Sequence, residues 1–434
     1  HYQQVSQHHY QQVSQHHYQQ VFQVVFQQVF DNLNIYSARE RWAVGCMDLL
    51  LAAASASAWR SAAPTAPLSP NKILLLRMER IGDILMAVPA IKILRTRLPE
   101  AEIHLVVGSW NEKLARLIPD ITTLETLNPA WLTRGESATA TIELIRRATK
   151  WRASGFDLAV NFEPDIRTNG LLALSGASHR VGFHSGGGGG FLTRALPYDT
   201  TAHTAANALR LVDAILQTEP QQVSNDALRR YAGLKLPEDA RLDASARLAD
   251  AGPVVIGINP SGGRRLKQWG PDRFAQVATR LARAHHAAVA LVGAPEDRPL
   301  VEAILAAVPD DVRVVDLAGQ LDLVGLAALC ERLTILITGD TGPMHLAAAV
   351  GTPIVAIFGP SDPRRYAPLA SKARVVRAEL WCSPCNRIRQ PPTRCRDRLP
   401  DCLASIETDT VYRAADELLA IDRHGTSALD ENAK

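Results

Sequence analysis

From residue 73 onward the chain alternates short apolar runs with amphipathic stretches. Residues 73–76 read Ile-Leu-Leu-Leu before Arg77, the kind of run that fills a strand covered on both faces. Ile81-Gly82-Asp83 follows, then a helical pattern to Leu98, closed by Pro99. Further strands are expected at 102–107 and 157–162, and helices after each. A second alternating series begins after Gly252-Pro253. Its strands are expected at 254–258, 288–292, 312–315, 333–338 and 354–358, with helices at 272–285, 297–307, 322–331 and 343–350. Strand–helix alternation of this kind implies an α/β fold with doubly wound parallel sheets, one in each half. Residues 71–250 and 251–421 are the expected domains, and a last amphipathic helix, 409–420, is expected to pack back across their boundary. Residues 422–434 are expected to be a disordered tail.

The first 70 residues break this pattern. His-Tyr-Gln-Gln-Val recurs at residues 1, 9 and 17, a period of eight, and Gln and His leave no apolar seam for a coiled coil. An Ala/Ser/Pro run from 52 to 70 reads as a linker. The expectation for 1–70 is a low-complexity, disordered extension and linker. The stretch ahead of Met47, the first methionine, is expected to be an upstream translation artefact. The apolar stretch after Met47 lacks the basic region of a signal peptide. No window offers the ~20 consecutive apolar residues of a membrane span. The expected location is cytoplasmic, with peripheral association at the inner membrane surface allowed for.

Composition narrows the chemistry. The 434 residues carry a net charge of +3, too small for a nucleic-acid binder. The six cysteines do not make a disulfide-dense scaffold. Gly186–Gly190 lacks the last glycine of a dinucleotide fingerprint, because Phe191 stands there.

Candidate chemistry lies where strands end and helices begin, since open parallel sheets bind ligands at the carboxyl ends of their strands. Asn259-Pro-Ser-Gly-Gly-Arg-Arg-Leu-Lys267 offers backbone N–H groups, Ser261 and a cation to a diphosphate, or is a solvated basic loop. Thr338-Gly-Asp-Thr-Gly-Pro-Met-His345 places Thr341, Gly342 and His345 at a helix start near Pro343, a phosphate site unless Asp340 caps the amides instead. Glu296, after Gly293, could accept ribose hydroxyls or simply open a helix. Asp83 could take a proton from an acceptor hydroxyl, or act only as a cap. Cys382, Cys385, Cys395 and Cys402 are spaced for a structural zinc, for disulfides, or for free thiols. The arginines among them, 387, 389, 394, 396 and 398, suit an anion or plain solvent. Arg167 and Arg180 are candidates for an anionic acceptor.

Several separated motifs then occur in one order: Arg77-x2-Arg80-Ile-Gly-Asp-x5-Pro-Ala90, Pro260-Ser through Lys267-x-Trp269, Leu291-Val-Gly293, Asp316-Leu-Ala-Gly319, Gly339-Asp-Thr-Gly-Pro-Met-His-Leu-Ala347 and Phe358-Gly-Pro-Ser-Asp-Pro363. Together they resemble the glycosyltransferase family 9 heptosyltransferases, over about 71–420. The resemblance implies GT-B architecture, two Rossmann-like domains facing across a cleft. It implies an inverting transfer of heptose from ADP-heptose to a lipid-linked or polyanionic lipopolysaccharide-core glycan, with no cofactor required. It implies Asp83 as the catalytic base and Ser261, Lys267, Thr341, Gly342 and His345 at the donor diphosphate. Glu296, Leu317 and Gly319 fall at the nucleoside, and Arg80, Arg167 and Arg180 on the acceptor side. The alternatives are another donor or acceptor within the family, or a non-catalytic nucleotide-sugar binder on the same fold. The acceptor half, about 130–230, resembles the family least.

Overall fold

β1, Lys72–Leu76, buries Ile73, Leu74, Leu75 and Leu76 completely, as a strand covered on both faces must. In this computed structural model the described residues are 33–35, 37–58, 69–119, 121–133, 137–218, 225–230, 232–388 and 391–430. β1 is central in a six-stranded parallel sheet ordered β3-β2-β1-β4-β5-β6. Its other strands are β2 (Glu102–Val107), β3 (Thr123–Thr126), β4 (Leu158–Asn161), β5 (His179–Phe183) and β6 (Arg194–Leu196). The second half repeats the plan as β12-β11-β10-β7-β8-β9, again all parallel. It comprises β7 (Val255–Asn259), β8 (Ala288–Leu291), β9 (Val314–Asp316), β10 (Ile335–Gly339), β11 (Ile354–Phe358) and β12 (Ala373–Arg377). The strands that the apolar pattern does not announce are β3, β5, β6 and β12. All but β5 lie at sheet edges, and β3, β6 and β12 are only partly buried.

In each sheet the strand order reverses between two central neighbours, β1/β4 and β7/β10. A crevice opens there at the carboxyl ends. The helices used below are α1 (Ala38–Ala58), α2 (Ile81–Arg97), α3 (Ile166–Leu174), α4 (Thr204–Leu216), α5 (Pro271–His285), α6 (Leu323–Arg332), α7 (Gly342–Ala349) and α8 (Thr408–Asp430). α2 packs on α4 within its own half and on α7 of the other. One buried cluster therefore runs through both halves, from Ile84, Val88 and Leu209 to Leu329, Met344 and Leu346.

The termini depart from expectation. Residues 1–32, 36 and 59–68 lie outside the described residues, but 33–35 and 37–58 do not form the disordered stretch read from composition. α1 sits on the Gly186–Gly190 loop. The Asp48 carboxylate accepts the Gly188 N–H at 2.6 Å, and the Asn34 N–H reaches the Ser185 carbonyl at 2.8 Å. The glycines make the seat. A Cβ at Gly187 would meet Val44 Cγ1 at 2.2 Å, one at Gly190 would meet Leu51 Cβ at 3.0 Å, and one at Gly186 would strike the Pro164 carbonyl at 1.7 Å. Gly187 and Gly188 also have positive φ, +88° and +76°. At the other end, the described side chains of α8 pack within the second half. Val411, Ala415, Leu418 and Leu419 are buried in the second half's own core, against α5 and β10–β12. The helix continues to Asp430, into the expected tail.

Candidate active site

Arg77 ends β1 and is buried. Its guanidinium donates to the Phe162 carbonyl at 2.7 Å, where β4 ends, and to the Asp83 carbonyl at 3.1 Å. It also pairs with Glu79 at 2.8 Å and with Asp83 Oδ1 at 3.5 Å. Burial alone would lower its pKa, but Glu79, Asp83 and Glu163 outweigh that and raise it. Asp83 Oδ2 accepts the Arg80 N–H at 3.0 Å. Asp83 is thus the third helical residue reaching back over the start of α2, and its carboxylate still faces the cleft. Glu163, from Phe162-Glu-Pro-Asp165, is buried and accepts the Met78 N–H. Burial, with Glu79 nearby, pushes its pKa up to about 8.

From the second half, the turn after β10 meets the Asp83 turn, with the turn after β7 beside it. Lys267 Nζ pairs with Asp340 Oδ2 at 2.7 Å, and both side chains are largely shielded from solvent. Asp340 is therefore the partner of Lys267 and not the cap of α7. Thr341 Oγ1 caps that helix, accepting the Met344 N–H at 3.4 Å, and the helix starts at Gly342. Ser261 Oγ accepts the Gly263 N–H at 3.3 Å, shaping the turn before Lys267. Trp269 is buried and donates to the Ile406 carbonyl at 3.1 Å, which fixes the far end of the loop. His345 is buried and burial pushes its pKa down to about 4, so its ring is neutral. The ring lies against the first half: a Cβ at Gly82 would come within 2.7 Å of its Cδ2, and one at Gly342 within 3.1 Å of Ile81 Cβ. Ile81-Gly-Asp83 and Thr341-Gly-Pro-Met-His345 are in direct contact.

Gly319, at φ +75°, donates its N–H to the Gly293 carbonyl at 2.9 Å and lies beside Pro295. Glu296 is exposed next to it, while Asp297 closes that turn by accepting the Ala294 N–H at 2.9 Å. The Leu317 side chain is in the core, and its N–H donates to the Leu291 carbonyl at 2.9 Å.

Arg80 lies over the Trp110 ring at 5.1 Å and donates to the Leu132 carbonyl; Arg167 lies over Trp131 at 4.8 Å and pairs with Asp165. Arg180 is placed differently. It is buried on β5 and donates to the Phe191 and Ala177 carbonyls at 2.8 and 2.6 Å. A cleft of about 880 Å³ joins the halves beside Asp83. Tyr198 and Thr204 line it from the first half, Asp362, Arg365 and Tyr366 from the second. Of the arginines among the cysteines, Arg387 lines this cleft, Arg394 stacks on Trp381 at 4.5 Å and Arg398 pairs with Asp401; Arg389 lies outside the described residues. The four late cysteines are free and line one separate pocket of about 20 Å³. Among the described residues no group of three is arranged to hold a metal ion. Sequence reasoning gave no part to Glu79, Glu163, Tyr198, Arg365 or Tyr366. Arg77 and Asp362 lie within the family motifs, which assign them no role.

Two Rossmann-type sheets facing across a shared cleft define the GT-B architecture. The sequence profile of glycosyltransferase family 9 (heptosyltransferase) matches residues 145–394, and the chain belongs to that family. A lipooligosaccharide heptosyltransferase 2 of Haemophilus influenzae is 38% identical over 113 residues, 26% of this chain and 32% of that protein. Lipopolysaccharide heptosyltransferase 2 of Salmonella typhimurium is 25% identical over 326 residues, 70% of this chain and 88% of its own. The solved structure of E. coli ADP-heptose LPS heptosyltransferase II superposes with a TM-score of 0.66 at 22% identity, covering 81% of this chain and 99% of that one. No helix among the described residues is long and apolar enough to cross a membrane.

Proposed function

We propose that this glycosyltransferase moves a heptosyl group from ADP-heptose to a lipopolysaccharide-core glycan, with inversion at the anomeric carbon. The observation that carries the reading is the contact between the Asp83 turn and the Thr341–His345 turn, which sets a carboxylate at the mouth of a phosphate-binding helix start. Asp83 takes the proton of the acceptor hydroxyl as its oxygen bonds to the anomeric carbon. The bond from that carbon to the diphosphate breaks on the opposite face, and the electron pair leaves with ADP.

Charge developing on the diphosphate meets Lys267, Ser261, the Thr341 and Gly342 amides and the start of α7. Lys267 has three N–H donors, so it can keep Asp340 and still reach a phosphate oxygen. Neutral His345 holds the two turns together. Glu296 takes the ribose hydroxyls, with the Leu317 and Gly319 backbone along the base. Arg80 and Arg167 lie on the acceptor side. The displacement uses side chains and backbone dipoles alone. The work is placed at the cytoplasmic face of the membrane, where a lipid-linked acceptor is presented.

Thermal-shift titration with ADP, UDP and GDP, followed by transfer assays with ADP-heptose, tests the reading. A larger stabilisation by ADP and inverted product are expected. A larger shift with UDP, or no transfer from ADP-heptose, defeats it.

A further inference from the structure

The cleft beside Asp83 has a wall that the family profile does not include. Leu33, Asn34, Ile35 and Arg41 precede the matched stretch by more than a hundred positions, yet they line the same space as Asp83. This segment is anchored from both sides. The Asn34 N–H holds the Ser185 carbonyl, and Arg41 Nε donates to the Ile35 carbonyl at 2.9 Å, folding the segment onto the start of α1.

The charges around the cleft are unevenly matched. Its carboxylates are already paired: Glu79 and Asp83 with Arg77, and Asp362 with Arg364 at 2.7 Å. Arg41, Arg365 and Arg387 also line it, and none of them makes an ion pair among the described residues. Arg365 goes further, because its Nε is buried with no hydrogen-bond partner there. A buried donor left unmet costs stability unless something else supplies an acceptor.

We infer that Leu33, Asn34, Ile35 and Arg41 are part of the acceptor site, and that Arg41, with Arg365 and Arg387 from the second half, binds an anionic group of the acceptor glycan. The inference rests on the proposed function for the identity of the acceptor. The chemistry recognised is an oxyanion, a phosphate or a sugar carboxylate, for which a guanidinium is the matching donor. The acceptor hydroxyl then lies toward Asp83, and the segment settles which acidic glycan can enter.

Calorimetric titration of the whole chain with an inner-core lipopolysaccharide oligosaccharide, phosphorylated and dephosphorylated, tests this without any sugar donor. Arg41→Ala and Arg387→Ala are each expected to weaken binding about tenfold, the loss of one charge-assisted hydrogen bond, with ADP binding unchanged. Arg387 is exposed, so its variant folds even if Arg41→Ala loosens the segment. A loss confined to the phosphorylated glycan assigns the contact to phosphate; a loss on both assigns it to carboxylate. Unchanged glycan binding in both variants overturns the inference, as does an equal loss of ADP binding. A chain that binds the glycan but fails to transfer heptose from ADP-heptose defeats the proposed function and leaves this result standing.

Discussion

Asp83 is held at both oxygens, one by the Arg80 N–H and one by Arg77. That fixes its direction before any substrate arrives. Asp83→Ala is expected to lower kcat about 100-fold or more, within the usual range for losing a general base, while ADP binding persists. Steady-state kinetics beside a thermal shift with ADP checks both halves. Glu163 gives a pH dependence of a definite sign. In the unfolded chain a glutamate loses its proton near 4.5, and in the fold it keeps it to about 8. Between those values the native state binds more protons, so this group's contribution to stability falls as pH rises from about 4.5 to about 8 and is level above. Relative to Glu163→Gln, the wild-type melting temperature should drop across that window. A difference between the two that stays constant with pH would refute it.

At the scale of elements, the strands that position the site were readable because they are central. β1, β4, β7 and β10 are short, mostly apolar and almost wholly buried runs, and the candidate site residues lie in the segments after them. Asp83, Lys267 and Thr341 fall where strand ends predict. What could not be read is what depends on two distant segments meeting. Lys267 and Asp340 belong to different loops, so their pairing is a product of tertiary structure. Arg180 looked available because a strand arginine carries no sign of being buried. α1 was illegible for a related reason: its partner is a loop of glycines 140 positions on from Asp48, which has no apolar signature of its own. Asp48→Ala removes the carboxylate that anchors α1. Trypsin should then cut after Arg39 and Arg41 about ten times faster, while the rest of the chain resists, as expected for a locally released element. Equal cutting of both proteins, followed by mass spectrometry, would show that the helix is held by other means.

For the molecule as a whole, two sheets do not make two independent folding units. The buried cluster is continuous from Ile84 to Met344, and α2 rests on α7. The chain is expected to unfold in one calorimetric transition, with matching van't Hoff and calorimetric enthalpies. Two resolved transitions would mean that each half is stable by itself. Separately expressed residues 69–250 and 251–430 should each expose apolar surface to a dye such as ANS, because each lacks the other's side of that cluster.

The contact between Gly82 and His345 also bears on how this chain can change over generations. Gly82 has no side chain because the His345 ring occupies the place where one would be. Gly82→Ala alone should cost about 1–3 kcal/mol, the usual penalty of overpacking. In a background where His345 is Ala, the same change should cost close to nothing, and a double-mutant cycle on chemical denaturation measures the difference. The two positions are thus bound in inheritance: Gly82 is not open to drift until His345 has moved. A selection for second-site suppressors of Gly82→Ala should return changes at position 345, on the far side of the cleft.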